Sequence, residues 1–225
     1  MTKQTSEMHK ILIIEDHPIM REGIVKWIES DPLMTVCGDF GSSVEAMGAL
    51  GRLQPDLVVC DITLGDTNGL ELLKDMIAFD PQLPVIMLSM HDESIFAMRA
   101  MRAGARGYVV KAAGGMEVVR AIKQVLGGGY AFSPKVSNQL IGEMAGRAKG
   151  RRSPVAALTD REFEILQLYG AGQTSGEIAR ALHLSPKTVG THRLNICQKL
   201  SLKSTAELIR FAVHHLEAEM HRTSA

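Results

Sequence analysis

Aromatic residues are scarce in this 225-residue chain: six Phe, three Tyr and one Trp make up 4% of it. Any core must rest on Leu, Ile, Val, Ala and Met instead. Cysteine is nearly absent too. Cys37, Cys60 and Cys197 are far apart and fit no metal-ligand spacing, which excludes a disulfide scaffold and a zinc module and leaves reduced core thiols. Apolar runs stop at about four residues, far short of the roughly 20 that cross a bilayer. The opening MTKQTSEMHK is polar and has no apolar segment of the kind that directs secretion. These absences together predict a cytoplasmic protein with no membrane partner.

Net charge is lacking as well, with 25 Lys/Arg against 25 Asp/Glu. The balance hides a division. Residues 1–127 hold 12 basic and 17 acidic side chains, a net of −5, and residues 128–225 hold 13 and 8, a net of +5. An acidic half joined to a mildly basic half suggests two jobs, the second compatible with a polyanion.

What is present in the first half is a regular alternation. Apolar runs at Ile11–Glu15, Met34–Asp39, Leu57–Cys60, Pro84–Leu88 and Gly107–Val110 read as strands. Segments with apolar spacing of three and four lie between and after them, at Pro18–Ser30, Ser43–Leu53, Gly69–Phe79, Glu93–Ala103 and Gly115–Leu126. Pro18 near a helix start and the box Ser42-x-x-Glu45 are start signals. Five βα units predict a doubly wound α/β domain on a five-stranded parallel sheet, with continuous apolar runs suiting strands buried on both faces. The run GGGY at Gly127–Tyr130 ends the pattern. The basic stretch GRAKGRRSP lies in a linker, with a short helix expected near Pro134–Met144.

Four helix starts follow. Thr159-x-x-Glu162, Thr174-x-x-Glu177 and Ser204-x-x-Glu207 fit the capping box, and Ser185-Pro186 is an N-cap followed by proline at the first helical position. Only Leu184-Ser185 is expected between the second and third helices, the spacing of a helix-turn-helix in a small all-α four-helix domain. The expected boundaries are 8–128 for the first domain, 129–154 for the linker and 155–220 for the second domain.

Ligands of an open parallel sheet bind outside the carboxyl ends of its strands. The first strand ends in Glu15 and Asp16, the third in Asp61, the fourth in Ser89 and the fifth in Lys111. Singly, each has an ordinary explanation as a cap, a loop hydroxyl or a solvated base. Jointly they bring three carboxylates, a hydroxyl and an ammonium to one edge. Clustered carboxylates raise one another's pKa unless a cation joins them, and Mg2+ suits a site with few protein ligands. Asp61 beside such an ion is a candidate nucleophile toward a phosphoryl group, with Ser89 and Lys111 placed to hold phosphoryl oxygens.

In the second domain, Pro186–Leu200 reads as one helix. Val189, Ile196 and Leu200 form its buried face, with His192 expected to be packed and hydrogen-bonded between them. The opposite face presents Lys187, Gly190, Thr191, Leu194 and Gln198, the set that a helix in the major groove would turn to base edges. Lys187, Arg193, Lys199 and Lys203 are within reach of phosphates. A final helix, Ser204–Glu219, carries an apolar stripe of Leu208, Ile209, Ala212, Val213 and Leu216, broad enough to leave room for a partner subunit.

The motifs IIEDHP, VVCDITLGDTNG, LSMHDE and GYVVKAA resemble the receiver domain of two-component response regulators, which has a flavodoxin-like fold. The stretch from Leu158 to Leu200 resembles a LuxR-type helix-turn-helix, and together the halves resemble the NarL/FixJ family of transcription regulators. The resemblance implies a phosphorylation-dependent, sequence-specific DNA-binding regulator rather than an enzyme. It implies that a histidine kinase supplies the phosphate to Asp61, that Ser89 and Lys111 sense it, and that Glu15, Asp16, Asp61 and the backbone carbonyl of Thr63 bind Mg2+. It further implies that Tyr108 swings inward as a switch and that the chain binds double-stranded DNA as a homodimer once phosphorylated. The sequence departs from the family pattern at Leu64-Gly65, where Met-Pro is frequent, which predicts a more mobile loop. It departs again at Ala112, where proline often follows the lysine, so that a cis bond there is not assured, and at Gly190 and Leu194, where lysine is frequent. Two other readings were open. One is a phosphohydrolase of the haloacid dehalogenase type, which would place its nucleophile after the first strand. The other is a DNA-binding protein whose first domain serves only for interaction.

Overall fold

Every apolar run that the alternation predicts is a strand in the computed structural model, which describes residues 8–90, 93–134, 136–138 and 154–223. The strands are β1 (His9–Ile14), β2 (Met34–Phe40), β3 (Leu57–Asp61), β4 (Val85–Ser89) and β5 (Gly107–Val110). The helices between and after them are α1 (Pro18–Glu29), α2 (Ser43–Leu53), α3 (Gly69–Phe79), α4 (Glu93–Arg102) and α5 (Gly115–Leu126). All strand pairs are parallel, in the order β2-β1-β3-β4-β5. The chain moves outward from β1 to β2 and then returns to lay β3 on the other side of β1. That reversal opens a crevice at the carboxyl ends of β1 and β3.

The sheet is buried on both faces because its central strands carry unbroken apolar runs, Ile11–Ile14, Leu57–Cys60 and Val85–Leu88. Ile11, Ile13, Leu57, Val59, Ile86 and Leu88 pack with Ile24 and Ile28 of α1 and with Val118, Ile122 and Val125 of α5. Strand alternation turns Leu12, Ile14, Val58, Cys60 and Met87 the other way, to the side of α2, α3 and α4; all five are fully buried. Each such aliphatic side chain contributes roughly 1.5–3 kcal/mol by leaving water. Trp27, the only tryptophan, lies against the amino end of α5: a Cβ on Gly115 would stand 2.3 Å from its indole.

Residues 1–138 and 139–225 form two compact units. The second unit contains α6 (Asp160–Gly170), α7 (Ser175–Ala181), α8 (Pro186–Lys199) and α9 (Thr205–Thr223), preceded by a 3-10 turn at Pro154–Ala157. Helix α6 is its centre, with Phe163, Ile165, Leu166 and Tyr169 buried. It lies so close to α9 that a Cβ on Gly170 would come within 2.8 Å of the Ala212 carbonyl oxygen. Of the short helix expected near Pro134–Met144, Pro134 and residues 136–138 are helical. Its remainder and residues 139–153 of the linker lie outside the described residues.

The capping boxes of α6 and α7 form as expected: Thr159 and Thr174 each accept from the N3 backbone, and Glu162 and Glu177 each accept from the cap backbone. Ser185 caps α8 by accepting from the Thr188 N–H. Two start signals act differently. Ser204 accepts from the Glu207 N–H, but Glu207 reaches the Lys203 N–H rather than closing the box. Ser42 makes no cap bond to its own helix. Its hydroxyl, together with the Ser43 N–H and hydroxyl, donates to Asp66 Oδ2, so a carboxylate from the β3–α3 loop caps α2.

The turn between α7 and α8 spans Leu182 to Ser185, longer than the two residues expected. His183 takes a left-handed φ of 50°, and the N–H groups of His183 and Leu184 bond back to the carbonyls of Arg180 and Ala179. This Schellman closure ends α7 two residues early. Ser201, at φ 57°, ends α8 the same way.

Candidate functional site

Three backbone features build the crevice at the β1/β3 reversal. Strand β3 runs one residue further than its apolar run, so Asp61 is its last residue and is 2% exposed. Ser89 likewise closes β4 and is buried, while Lys111 opens a 3-10 turn directly after β5. Glu15 and Asp16 follow β1 immediately, where the Phe40 carbonyl of the neighbouring strand accepts from the Glu15 N–H at 2.9 Å.

The strand-end residues meet. Lys111 Nζ lies 2.7 Å from Asp61 Oδ2 and 2.7 Å from Glu15 Oε2. Single oxygen or nitrogen atoms of Glu15, Asp16, His17 and Asp61 lie within 4.8 Å of one another. Despite the Lys111 ion pair, buried Glu15 Oε2 has no directional hydrogen bond. Glu15 and Asp61 thus share one ammonium, and Asp16 adds a third carboxyl group beside them. Burial pushes the Asp61 carboxyl up to about 7, with Glu15 adding to the rise and Lys111 and the Thr63 backbone N–H opposing it. Burial alone would lower Lys111, but Asp61 and Glu15 hold its ammonium above the ordinary lysine value. The donor set therefore fits a hard divalent cation: clustered carboxylate oxygens that outnumber the one ammonium beside them.

A stability test follows from the raised carboxyl. Asp61 protonates near 7 when folded and near 3.8 as an unshifted carboxyl. The stability gained by binding that proton is full below about pH 4 and lost as pH rises through 7. In chelator, urea titrations of the wild type are expected to lose on the order of 2–4 kcal/mol between pH 4 and 8 relative to Asp61→Asn. Millimolar Mg2+ should restore most of that difference at pH 8, and parallel profiles for both proteins in chelator would contradict the reading.

Several neighbours carry the site without being evident in the sequence. His17 Nδ1 stands 2.9 Å from Asp16 Oδ1, and the His17 N–H donates to Glu15 Oε1 at 3.2 Å. Asn68 caps α3 through the Leu70 N–H, and the Gly69 N–H donates to the Ile62 carbonyl at 2.7 Å. This tucks the start of α3 under Asp61. The loop expected to be more mobile has buried Leu64 as one anchor and the Asp66 cap on α2 as another. Burial would raise the Asp66 carboxyl, but the bonds from Ser42 and Ser43 hold it below the usual range. Thr63 bridges to Asn68 across that loop. Tyr108 is 5% exposed. All peptide bonds among the described residues are trans, including the one after Lys111.

Helix α8 divides as its periodicity predicts. Val189 and Ile196 are fully buried, whereas Leu200 is only half-buried. His192 is half-buried, burial lowers its pKa, and its buried Nδ1 has no hydrogen-bond partner. Lys187, Thr191, Leu194 and Gln198 are exposed, and Gly190 and Arg193 are half-exposed. Lys203 is exposed, but Lys199 is already engaged, its Nζ 2.6 Å from Glu162 Oε2 of the α6 capping box. That pair ties α8 to the start of α6 and removes Lys199 from the freely available phosphate contacts. No atom lies within 4 Å of a Cβ built on Gly190, and its φ is not left-handed. Gly190→Ala is accordingly expected to stabilise the helical domain by about 1 kcal/mol in thermal unfolding; a loss of stability would show an obstruction not seen here.

In α9, Leu208 and Ala212 form the buried edge of the apolar stripe, and Ile209 remains 40% exposed. Among the described residues no helix is long and apolar enough to cross a membrane. The candidate nucleophile stands on β3 and the first strand ends in Glu15-Asp16-His17, an order opposed to the phosphohydrolase alternative.

Comparison with known proteins agrees in both halves. Residues 11–123 match the response regulator receiver domain, and residues 156–212 match the bacterial regulatory proteins of the luxR family. The chain is 34% identical to the DNA-binding transcriptional activator DevR/DosR of Mycobacterium tuberculosis over 91% of this chain and 94% of that protein. It is 35% identical to the transcriptional regulatory protein UhpA of Escherichia coli over 90% of this chain and 97% of that protein. A crystal structure of a LuxR-family two-component response regulator from Aurantimonas covers 62% of this chain and 99% of its own, with a TM-score of 0.56 and 34% identity. With both halves matched in order and the relatives aligned nearly end to end, the chain belongs to the LuxR-type response regulators, transcription regulators that join a receiver to a helix-turn-helix domain rather than enzymes.

Proposed function

We propose that this regulator is switched by phosphorylation of Asp61 and that the observation carrying this reading is the Lys111 ammonium held between Glu15 and Asp61 in the strand-end crevice. Asp61 attacks the phosphorus of a phosphohistidine on a partner kinase, or of a small acyl phosphate. A P–O bond to Asp61 forms as the P–N or P–O bond of the donor breaks, and the electron pair leaves with the donor. Glu15, Asp16, Asp61 and the Thr63 backbone carbonyl would hold Mg2+, which would supply positive charge beside the transferring group. Lys111 gives up part of its hold on Asp61 to pair with a phosphoryl oxygen, and Ser89 donates to another. Tyr108 reports the change on β5.

The output follows from the second unit. Domains 8–128 and 155–220, joined by linker 129–154, act as switch and reader. Lys187, Arg193, Lys199 and Lys203 serve phosphates, Lys199 only on release from Glu162, and Gly190, Thr191 and Leu194 face bases in double-stranded DNA. Ile209 and its neighbours on α9 offer a surface for a homodimer, and the chain works in the cytoplasm. Phosphorylation must favour one receiver state through contacts present only in that state. Titrating a DNA site with the full chain, with and without acetyl phosphate and Mg2+, tests this. A gain of about 5- to 150-fold is expected from a coupling of ordinary size. Equal affinities would leave the receiver as an interaction module only.

A further inference from the structure

The proposed DNA-facing arc of α8 has an unusual middle. Lys187, Gly190, Thr191, Leu194 and Gln198 fall within about 100° of one another at 3.6 residues per turn, opposite buried Val189 and Ile196. Hydrogen-bond donors stand only near its two ends, at Lys187 and Gln198. Between them, Gly190 offers no side chain and Leu194 is 65% exposed. Thr191 Oγ1 donates to the Lys187 carbonyl at 3.2 Å, so its proton is used within the helix, leaving its methyl and an acceptor oxygen to offer. Nothing in the fold requires this glycine, since a Cβ there meets open space. The apolar exposure of Leu194 likewise serves no packing role inside the domain.

In the major groove, bases are told apart by donors and acceptors, with one apolar exception, the 5-methyl group of thymine. A helix whose central positions lack side-chain donors cannot donate to guanine O6 or to a purine N7 there. We propose that Gly190, Thr191 and Leu194 form a methyl-reading notch: Gly190 lets the groove floor approach, and Thr191 and Leu194 contact thymine methyls. Thr191 and Leu194 are about 4.5 Å apart along the helix axis, close to the spacing of about 3.4 Å between successive base pairs. Half-sites for this chain therefore carry thymine at one or two central positions. Lys187, Arg193 and Lys203 fix the helix on phosphates without adding sequence information.

This inference rests on the DNA-binding reading above, and its test separates the two. The full chain, treated with acetyl phosphate and Mg2+, is used to select bound duplexes from a random pool. Each thymine of the selected site is then replaced singly by uracil, which removes only the methyl, and affinity is read by fluorescence anisotropy. One or two positions per half-site are expected to lose about fourfold per methyl. Leu194→Ala, at an exposed position that does not threaten folding, is expected to erase the thymine-over-uracil preference at its own position. A selected site at which uracil binds as well as thymine everywhere overturns the notch and leaves DNA binding intact. A pool that yields no enriched sequence overturns both.

Discussion

Asp61→Asn is expected to erase the whole gain in DNA affinity that acetyl phosphate confers on the wild type, about 5- to 150-fold, while leaving the unphosphorylated affinity within about twofold. The substitution keeps the size of the side chain and removes the negative charge that makes it a nucleophile. It also leaves Lys111 paired with Glu15 through the 2.7 Å contact, so the crevice keeps its shape and the variant folds. Anisotropy titrations of both proteins with and without the donor check this. A variant that still responds to the donor would mean that another residue is the acceptor. Lys111→Ala should differ: phosphorylation proceeds, but the affinity gain is reduced, because the acyl phosphate forms without the cation that reads it.

Gly69→Ala has the largest expected effect on stability. A Cβ at this position would stand 1.9 Å from the Asp61 carbonyl oxygen and 2.8 Å from Ile62 Cα. Both are backbone atoms of β3 and its exit, so no flexible side chain can yield. Either the start of α3 moves away from the phosphoacceptor or the end of β3 bends, and each breaks the 2.7 Å bond from the Gly69 N–H to the Ile62 carbonyl. A loss of at least about 3 kcal/mol is expected for the receiver transition, roughly 10 °C or more in Tm. The same substitution at Gly190 carries the opposite sign, because there the Cβ meets nothing. Scanning calorimetry of the two variants separates them; a Gly69→Ala receiver that melts with the wild type would contradict the tight seat of α3.

The contrast between these glycines shows which features are legible in a sequence. Asp61, Ser89 and Lys111 were readable because each ends an apolar run, and strand direction alone sends such residues to one edge of a parallel sheet. The starts of α6, α7 and α8 were readable because capping is local, complete within four residues. What escaped depends on partners distant in sequence or on unusual backbone. Asp66 displaces Ser42 as the cap of α2 from 24 residues away. Lys199 looks like a phosphate contact until Glu162, 37 residues earlier, is brought against it. His183 and Ser201 adopt the left-handed conformation usually given to glycine, so no composition signal marks the early end of α7. Glu15 and Asp16 are adjacent after β1, yet Glu15 is fully buried on Lys111 whereas Asp16 pairs with exposed His17, a division that adjacency alone does not reveal.

The most direct test of the account is to locate the acyl phosphate itself. The full chain is incubated with acetyl phosphate and Mg2+, reduced with borohydride, digested and sequenced by mass spectrometry. Reduction of an aspartyl phosphate leaves homoserine, and the account predicts homoserine at position 61 only, formed with Mg2+ and absent in chelator. Homoserine elsewhere, or an unmodified Asp61 under conditions in which an unrelated receiver is fully labelled, would contradict it.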